Sequence, residues 1–235
     1  KIDISFQPYV ALAAWKLDRP ARICYSRGES MRASTKRHPS DIHLRVGCDD
    51  KGLISGFVFD GIFNTGAYAS WGPTVANRVP IHACGPYKTD HYRATSVAVH
   101  TNAPPAGAFR GFGVPQSAIA QECAYDLLAD EIGMDRLAFR RSNALKNGMP
   151  TVTGQVFKNG VGIDDCFAAL EQPWKNALSK AADFNDEAIA NGSPWRSGVG
   201  IASCWYGCGN TSLPNPSTMR MGITPEGEIV LHQGA

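Results

Sequence analysis

The stretch Ala108-Phe109-Arg110-Gly111-Phe112-Gly113-Val114-Pro115-Gln116 decides how the rest of the chain is read. Before it runs a β-like segment, Tyr92 to Thr101, and the bend Asn102-Ala103-Pro104-Pro105-Ala106-Gly107. After it comes a helical pattern from Val114 to about Ile132. Gly107, Gly111 and Gly113 let the backbone approach something bulky. Pro115 suits a first helical turn, where its missing N–H costs nothing. A glycine-bent strand feeding a helix N-terminus is an anion site, because free N–H groups and the positive dipole end point outward. Arg110 adds a cation with a forked donor set, and Phe112 adds a flat apolar face. The same features also describe a tight strand-to-helix turn with an ordinary surface arginine.

Upstream, Phe6, Tyr9, Val10, Ala13 and Leu17 fall on one helical stripe that Arg19-Pro20 closes. Ala21 to Ser26 reads as a buried strand carrying Ile23 and Tyr25. Gly28 to Pro39 is polar and basic, either a solvated loop or short helix, or a contact for an anionic cofactor or neighbouring chain. Asp41–Cys48 and Leu53–Phe63 flank Asp49-Asp50-Lys51-Gly52, which is turn chemistry and predicts a hairpin. Asn64 to Pro73 reads as loop, and Thr74 to Ala83 as a short helix carrying Arg78 and His82.

Downstream, the helix from Val114 shows an apolar stripe of Ile119, Ala120, Cys123, Ala124, Leu127 and Leu128, with Glu122, Asp126 and Asp130 away from it. Gly133 is its C-cap, and a second short helix runs from Asp135 to about Leu145. Asn147-Gly148-Met149-Pro150 breaks that helix and is the expected domain boundary, dividing the chain into 1–149 and 150–235. Ile163 to about Ala190 is helical, with Pro173 restarting it. Ser197 to Trp205 alternates weakly as a strand. Ser217–Thr224 and Ile229–His232 form a hairpin around Pro225-Glu226-Gly227-Glu228. The fold class is α+β, with helices packed on mixed or antiparallel sheets.

A formal charge of +2 is too small to argue for nucleic acid or a membrane surface. No apolar run approaches the ~18 residues of a transmembrane helix. Seven widely spaced cysteines, an odd count, predict reduced thiols and a cytoplasmic setting. Cys204 and Cys208 form the one close pair, without a second pair at metal-ligand spacing. Six histidines are scattered, each read as structural or solvated. Asp49-Asp50 fits its turn and Asp164-Asp165 a helix start, so neither supports a paired-carboxylate mechanism.

Gly107-Ala108-Phe109-Arg110-Gly111-Phe112-Gly113-x-Pro115-Gln116 resembles the cofactor loop of the xanthine dehydrogenase/aldehyde oxidoreductase family of molybdenum hydroxylases. Further stretches resemble that family in the same order. They are Ala11-Leu12-Ala13-Ala14-Trp15, Arg19-Pro20, Arg27-Gly28-Glu29-Ser30-Met31, Lys36-Arg37-His38-Pro39, Gly85-Pro86-Tyr87, Glu122-Cys123 and Gly133-Met134-Asp135. The resemblance implies a Gly-Gly-Phe-Gly-Gly stretch before Lys1 and a Gly-Gln-Gly loop after Ala235. On that reading the chain is the middle of a larger unit, with 1–149 part of a first molybdopterin-binding domain and 150–235 the start of a second.

The resemblance also implies the chemistry. The cofactor is molybdopterin, as such or as a cytosine dinucleotide, whose dithiolene holds the molybdenum, so no protein metal ligand is expected. Ala108, Phe109, Arg110 and Gly111 would bind it, with Arg110 in the catalytic role. Phe112 and Arg78 would bind substrate, and the Gly207–Thr211 segment corresponds loosely to another part of that pocket. The implied reaction hydroxylates an electron-poor carbon with water-derived oxygen, a planar N-heterocycle being favoured over an aldehyde. The implied partners are the remaining molybdopterin-binding segment, an iron–sulfur (2Fe-2S) subunit and an FAD subunit in a hetero-oligomer. The family's glutamate base lies in a Gly-Glu-Pro-Pro stretch that this chain lacks. The alternative is a segment serving only assembly, with no site of its own.

Overall fold

In a computed structural model of the chain, residues 3–207 and 217–234 are described. The architecture is α+β. The first helix, α1 (Gln7–Leu17), ends at Asp18 in the left-handed region (φ 47°). Its expected stripe is uncovered: no α1 residue is buried, and Tyr9, Leu12, Trp15 and Leu17 are exposed. The expected strand at Ala21–Ser26 is absent, and Ile23 is exposed. An alternating run becomes a strand only beside a partner edge, and no described strand pairs with it. The basic stretch forms α2 (Arg27–Ala33), nucleated by a capping box in which Ser26 and Glu29 satisfy each other's backbone N–H.

Strand β1 (Ser40–Cys48) pairs antiparallel with β2 (Ile54–Gly66) across the Asp49–Gly52 turn, as the turn residues predict. Asp49 Oδ1 accepts from the N–H groups of Lys51 and Leu53 at 3.0 and 2.8 Å. Strand β3 (Tyr92–His100) lies parallel to β2 on its other side. The crossover between them is α3 (Gly72–His82). Alternate residues of β2 point inward, and Phe57, Phe59 and Phe63 are almost fully buried. Gly61 lies on that same face, where a Cβ would sit 2.7 Å from Phe59 and 2.8 Å from Phe63. Its hydrogen leaves room for both rings.

Pro80 lies inside α3 and donates no hydrogen bond to the Ala76 carbonyl. Ser96 Oγ on β3 donates to that carbonyl instead, at 2.7 Å. Tyr92 Oη donates to the Pro80 carbonyl. The break therefore ties the crossover to the strand it precedes.

Helix α4 (Val114–Glu131) ends at Gly133 (φ 65°), where the Met134 N–H reaches the Ala129 carbonyl at 2.8 Å. Helix α5 (Arg136–Asn143) follows, capped by Asp135. Asn143 pins α5 to the β1–β2 turn: its amide donates to Gly52 O at 2.7 Å, and its Oδ1 accepts from Ile54 N–H at 2.8 Å. Helix α6 (Ile163–Ala190) runs through Pro173 without restarting. Removing one N–H is tolerated because buried Phe167 and Trp174 anchor both sides of it. Phe167 stacks on Tyr87, and Trp174 Nε1 donates to Asp135 at 2.8 Å.

Ser197–Trp205 is irregular rather than a strand, although Val199 and Ile201 pack on the core. Asn185 of α6 holds it through two hydrogen bonds to the Ser197 backbone. The expected last hairpin forms as β4 (Met219–Ile223) and β5 (Ile229–Gln233). None of its residues is buried.

On α4, Glu122 departs from the expected pattern, whereas Asp130 is exposed. Glu122 is buried together with Gln116, Ser117, Gln121 and Tyr125, whereas Ile119 and Leu127 are 71% and 70% exposed. The apolar stripe splits: Ile119, Cys123 and Leu127 face outward, whereas Leu128 packs on the core.

Candidate functional site

Three successive residues at the α4 N-terminus adopt left-handed backbone: Gly111 (φ 89°), Phe112 (φ 45°) and Gly113 (φ 97°). For an aromatic residue this conformation is costly and persists only where its surroundings impose it. The Phe112 N–H donates to Phe109 O at 2.8 Å, and Val114 N–H to Gly111 O at 2.9 Å. A Cβ at position 113 would lie 2.5 Å from Val79 of α3, so the turn sits directly on that helix. The Arg110 and Gly111 amides have no acceptor among the described residues. The Arg110 side chain is exposed, beside the groove described below.

The loop is held from behind by Arg37, which the reading of the basic stretch did not single out. Its Nη2 donates to Arg110 O at 2.6 Å and its Nη1 to Gln116 Oε1 at 3.3 Å. Its guanidinium lies 4.7 Å from the Phe109 ring centroid. Gln116 in turn donates to the His38 carbonyl. The bridge between Lys36 and Ala106 fixes the approach to the loop. Arg37 thus neutralises a carbonyl that would repel an anion and leaves the Arg110 cation facing outward. Its place in Lys36-Arg37-His38-Pro39 was visible, but its partner across the fold was not.

Beneath α4 lies a buried polar network. Arg140 of α5 has no exposed side-chain surface and donates to Glu122 Oε2 at 2.7 Å. Asp126 Oδ1 is 2.8 Å from Arg140 Nη1, an ion-pair contact without hydrogen-bond alignment. Against the desolvation of burial, the Glu122 carboxylate holds the Arg140 pKa above its ordinary value. Tyr87 Oη donates to Glu122 Oε1 at 3.0 Å and meets Ser203 Oγ at 2.6 Å. Burial, with Glu122 adding to it, pushes the Tyr87 phenol well up. The network ties Gly85-Pro86-Tyr87 and Glu122-Cys123 to the irregular 197–205 segment.

Arg78 and Phe112 make separate contacts. Phe112 meets Trp71 edge-on at 6.1 Å. Arg78 Nη2 donates to Gly207 O at 3.2 Å, and its guanidinium lies 4.4 Å from the Tyr206 ring centroid. Beyond Gly207, the Gly207–Thr211 segment and Cys208 lie outside the described residues.

A groove of about 930 Å³ runs along the outer face of α4, lined by Arg110, Gly111, Ile119, Cys123, Ile201 and Tyr206 among others. At its loop end lie the Arg110 cation and the Arg110–Gly111 backbone, whose amides lack acceptors among the described residues; the carboxylates that also line it, Glu122 and Asp126, both meet Arg140. Donors of this kind fit an anionic, oxygen-bearing group such as a pterin phosphate or an oxo-metal face. Among the described residues no three His, Cys, Asp or Glu are grouped to hold a metal ion. Among them, too, no helix is long and apolar enough to cross a membrane.

Residues 1–144 match the family model described as molybdopterin cofactor-binding domain. The nicotinate dehydrogenase large molybdopterin subunit of Eubacterium barkeri is 40% identical over 163 residues, which is 69% of this chain and 38% of that protein. A probable xanthine dehydrogenase subunit of Bacillus subtilis (strain 168) is 40% identical over the whole chain, or 30% of that protein. The aldehyde oxidoreductase from Desulfovibrio gigas superposes with a TM-score of 0.69 at 29% identity, over 78% of this chain and 20% of that one. The matched region is thus well under half the length of each relative.

Proposed function

The chain belongs to the molybdopterin cofactor-binding domain family, and from that premise we propose that it forms one wall of the cofactor and substrate pocket of a molybdenum-dependent hydroxylase. The observation that carries this reading is the turn at 111–113. Arg37 takes the Arg110 carbonyl, so the Gly111 N–H of the same trans peptide points the opposite way, and the exposed Arg110 side chain lies beside the groove.

Ala108, Phe109, Arg110 and Gly111 would line the cofactor. When bound, molybdopterin with its molybdenum supplies a two-electron oxidation that uses oxygen from water. This chain's own residues orient and stabilise. Arg110 and the two amides oppose negative charge developing at the reacting oxygen. Phe112 offers a ring face for stacking a planar substrate, typically worth ~0.5–1.5 kcal/mol beyond burial. Arg78 offers parallel donors to a ring carbonyl or carboxylate. A simple aldehyde needs neither residue, so we favour a planar N-heterocycle such as a purine or a pyridine carboxylate. The name of the Eubacterium relative supports that preference; that of the Desulfovibrio structure supports the aldehyde reading.

The division at 149/150 into parts of two molybdopterin-binding domains belongs to the same proposal, and the family match ending at 144 supports it. So do the implied partners: the remaining molybdopterin-binding segment, an iron–sulfur (2Fe-2S) subunit and an FAD subunit. The uncovered groove and α1 stripe offer apolar surface for such contacts.

The test is Arg110→Ala in the assembled enzyme. It should retain molybdenum and pterin while kcat falls by ~10²–10³. Near-normal turnover with full molybdenum would reduce Arg110 to a surface cation.

A further inference from the structure

We propose that His82 is a positioning residue for substrate recognition, holding Tyr206 and Gly207 in the place where they fix the Arg78 guanidinium. This rests on the reading of Arg78 as a substrate-binding residue.

His82 closes the last turn of α3, one helical turn after Arg78, and is almost fully buried. Each ring nitrogen has a backbone partner. Nε2 accepts the Gly207 N–H at 3.3 Å, and Nδ1 lies 3.2 Å from the Arg78 carbonyl. A nitrogen that accepts cannot carry a proton, so the neutral tautomer with hydrogen on Nδ1 satisfies both contacts. Burial lowers the His82 pKa, outweighing the hydrogen bond to the Arg78 carbonyl that raises it, and the Arg78 cation lowers it further, in line with a neutral ring. The imidazole also stacks on Tyr206 at 5.5 Å with planes 13° apart, and meets Trp205 at 4.9 Å.

Arg78 uses the same two residues. It donates to the Gly207 carbonyl and lies over the Tyr206 ring. One peptide segment is therefore gripped twice from one helix: His82 takes the Gly207 N–H and Arg78 its carbonyl. The Tyr206 ring packs against both side chains. Residues 197–207 have no regular secondary structure of their own. Ser203 is held by Tyr87 and Glu122, and Trp205 meets Phe157 edge-on; among the described residues, Tyr206 and Gly207 take their contacts from His82 and Arg78 of α3. Arg78 has a long, flexible side chain, and a forked donor recognises a planar acceptor well only when held. The Tyr206 face and the Gly207 carbonyl provide that hold, and His82 keeps them there.

The experiment uses the assembled enzyme with nicotinate as probe substrate, and the variants His82→Phe, His82→Gln and Arg78→Met with the His82→Phe/Arg78→Met double. Hydrogen exchange, read by mass spectrometry on the peptide containing Gly207, reports the clamp without reference to turnover. His82→Phe keeps the stacked ring and loses both hydrogen bonds. It should speed exchange at Gly207 and raise KM for nicotinate by ~10-fold, with kcat changed less. His82→Gln retains an acceptor and should recover most of the affinity. The double variant should be no worse than Arg78→Met alone, because the two residues act through one contact. Unchanged exchange in His82→Phe removes the clamp. Faster exchange with unchanged KM, while Arg78→Met raises it, removes the positioning role. An Arg78→Met variant with wild-type KM instead removes the substrate reading, and exchange still decides whether His82 holds the segment.

Discussion

On its inner face α4 presents Gln116, Ser117, Gln121, Glu122, Tyr125 and Ala129 to the core; on its outer face it presents Ile119, Cys123 and Leu127 to solvent. A surface helix ordinarily does the reverse. The inner face works because its charge is matched: Glu122 meets Arg140, and Tyr87 and Gln121 take up the other carboxylate oxygen. The outer face is a contiguous apolar groove of the size and kind that marks an interaction surface. The contrast teaches that α4 is a middle layer. One side belongs to the fold of this chain, and on the proposed reading the other would face the rest of the site that begins at Arg110.

The largest effect should come from unbalancing the inner face. Arg140→Met leaves Glu122 buried and unpaired and should cost ~3–5 kcal/mol, and Glu122→Leu a similar amount. Combining them should recover much of that loss, since a buried pair can often be replaced by apolar groups. Chemical denaturation of the assembled protein reads this. Additive losses in the double variant would mean that the two side chains are not coupled.

Next comes the junction of the two faces. Arg110→Ala should raise the reaction barrier by ~3–4 kcal/mol and leave unfolding stability within ~0.5 kcal/mol of wild type. Equal losses in both would make Arg110 a structural residue and erase the distinction between the faces at this point.

A smaller effect is expected at Arg78. In the assembled enzyme Arg78→Met should lower kcat/KM for an anionic or carbonyl-bearing heterocycle by ~10-fold, about 1.4 kcal/mol, and affect small aldehydes little. Equal loss for both substrate types would leave Arg78 without an orienting role.

The smallest effect tests the outer face alone. Ile119→Gln and Leu127→Gln should change folding stability by no more than ~0.5 kcal/mol. In the chain expressed singly they should reduce hydrophobic-dye binding and aggregation. Thiol labelling sharpens the same contrast. Cys123 is exposed, whereas Cys84 lies beneath Tyr125 with its thiol pushed up to about 12 by burial. Cys123 should react at once and Cys84 only on unfolding. A Cys84 that labels as fast as Cys123 would show that the core around Tyr125 is not closed.

Much of this was legible in the residues. The Asp49–Gly52 turn, the Gly133 cap and the periodicity of α3, α5 and α6 all carry local signals, because turns, caps and helices are made by near neighbours. The signals failed where distant partners decide. Ala21–Ser26 and Ser197–Trp205 read as strands, but no described strand borders them. The parallel pairing of β3 with β2 depends on the α3 crossover, which alternation does not encode. The α4 stripe is visible in the sequence, but hydrophobicity alone does not say which of its residues the core covers. Only the position of Arg140, eighteen residues on, shows why Glu122 turns inward. At the site, the glycine-bent loop and Arg110 stood out in the sequence. Arg37 and His82 did not, because each acts through backbone atoms of a remote segment.

The proposed lining of a bound molybdopterin by the loop at 108–113 carries the other roles. Its most direct test is molybdenum analysis with pterin fluorescence on the natural complex purified through this chain. Molybdenum and pterin should be present in stoichiometric amounts, retained by Arg110→Ala while its activity falls. Fully assembled, active complex without molybdenum would contradict it.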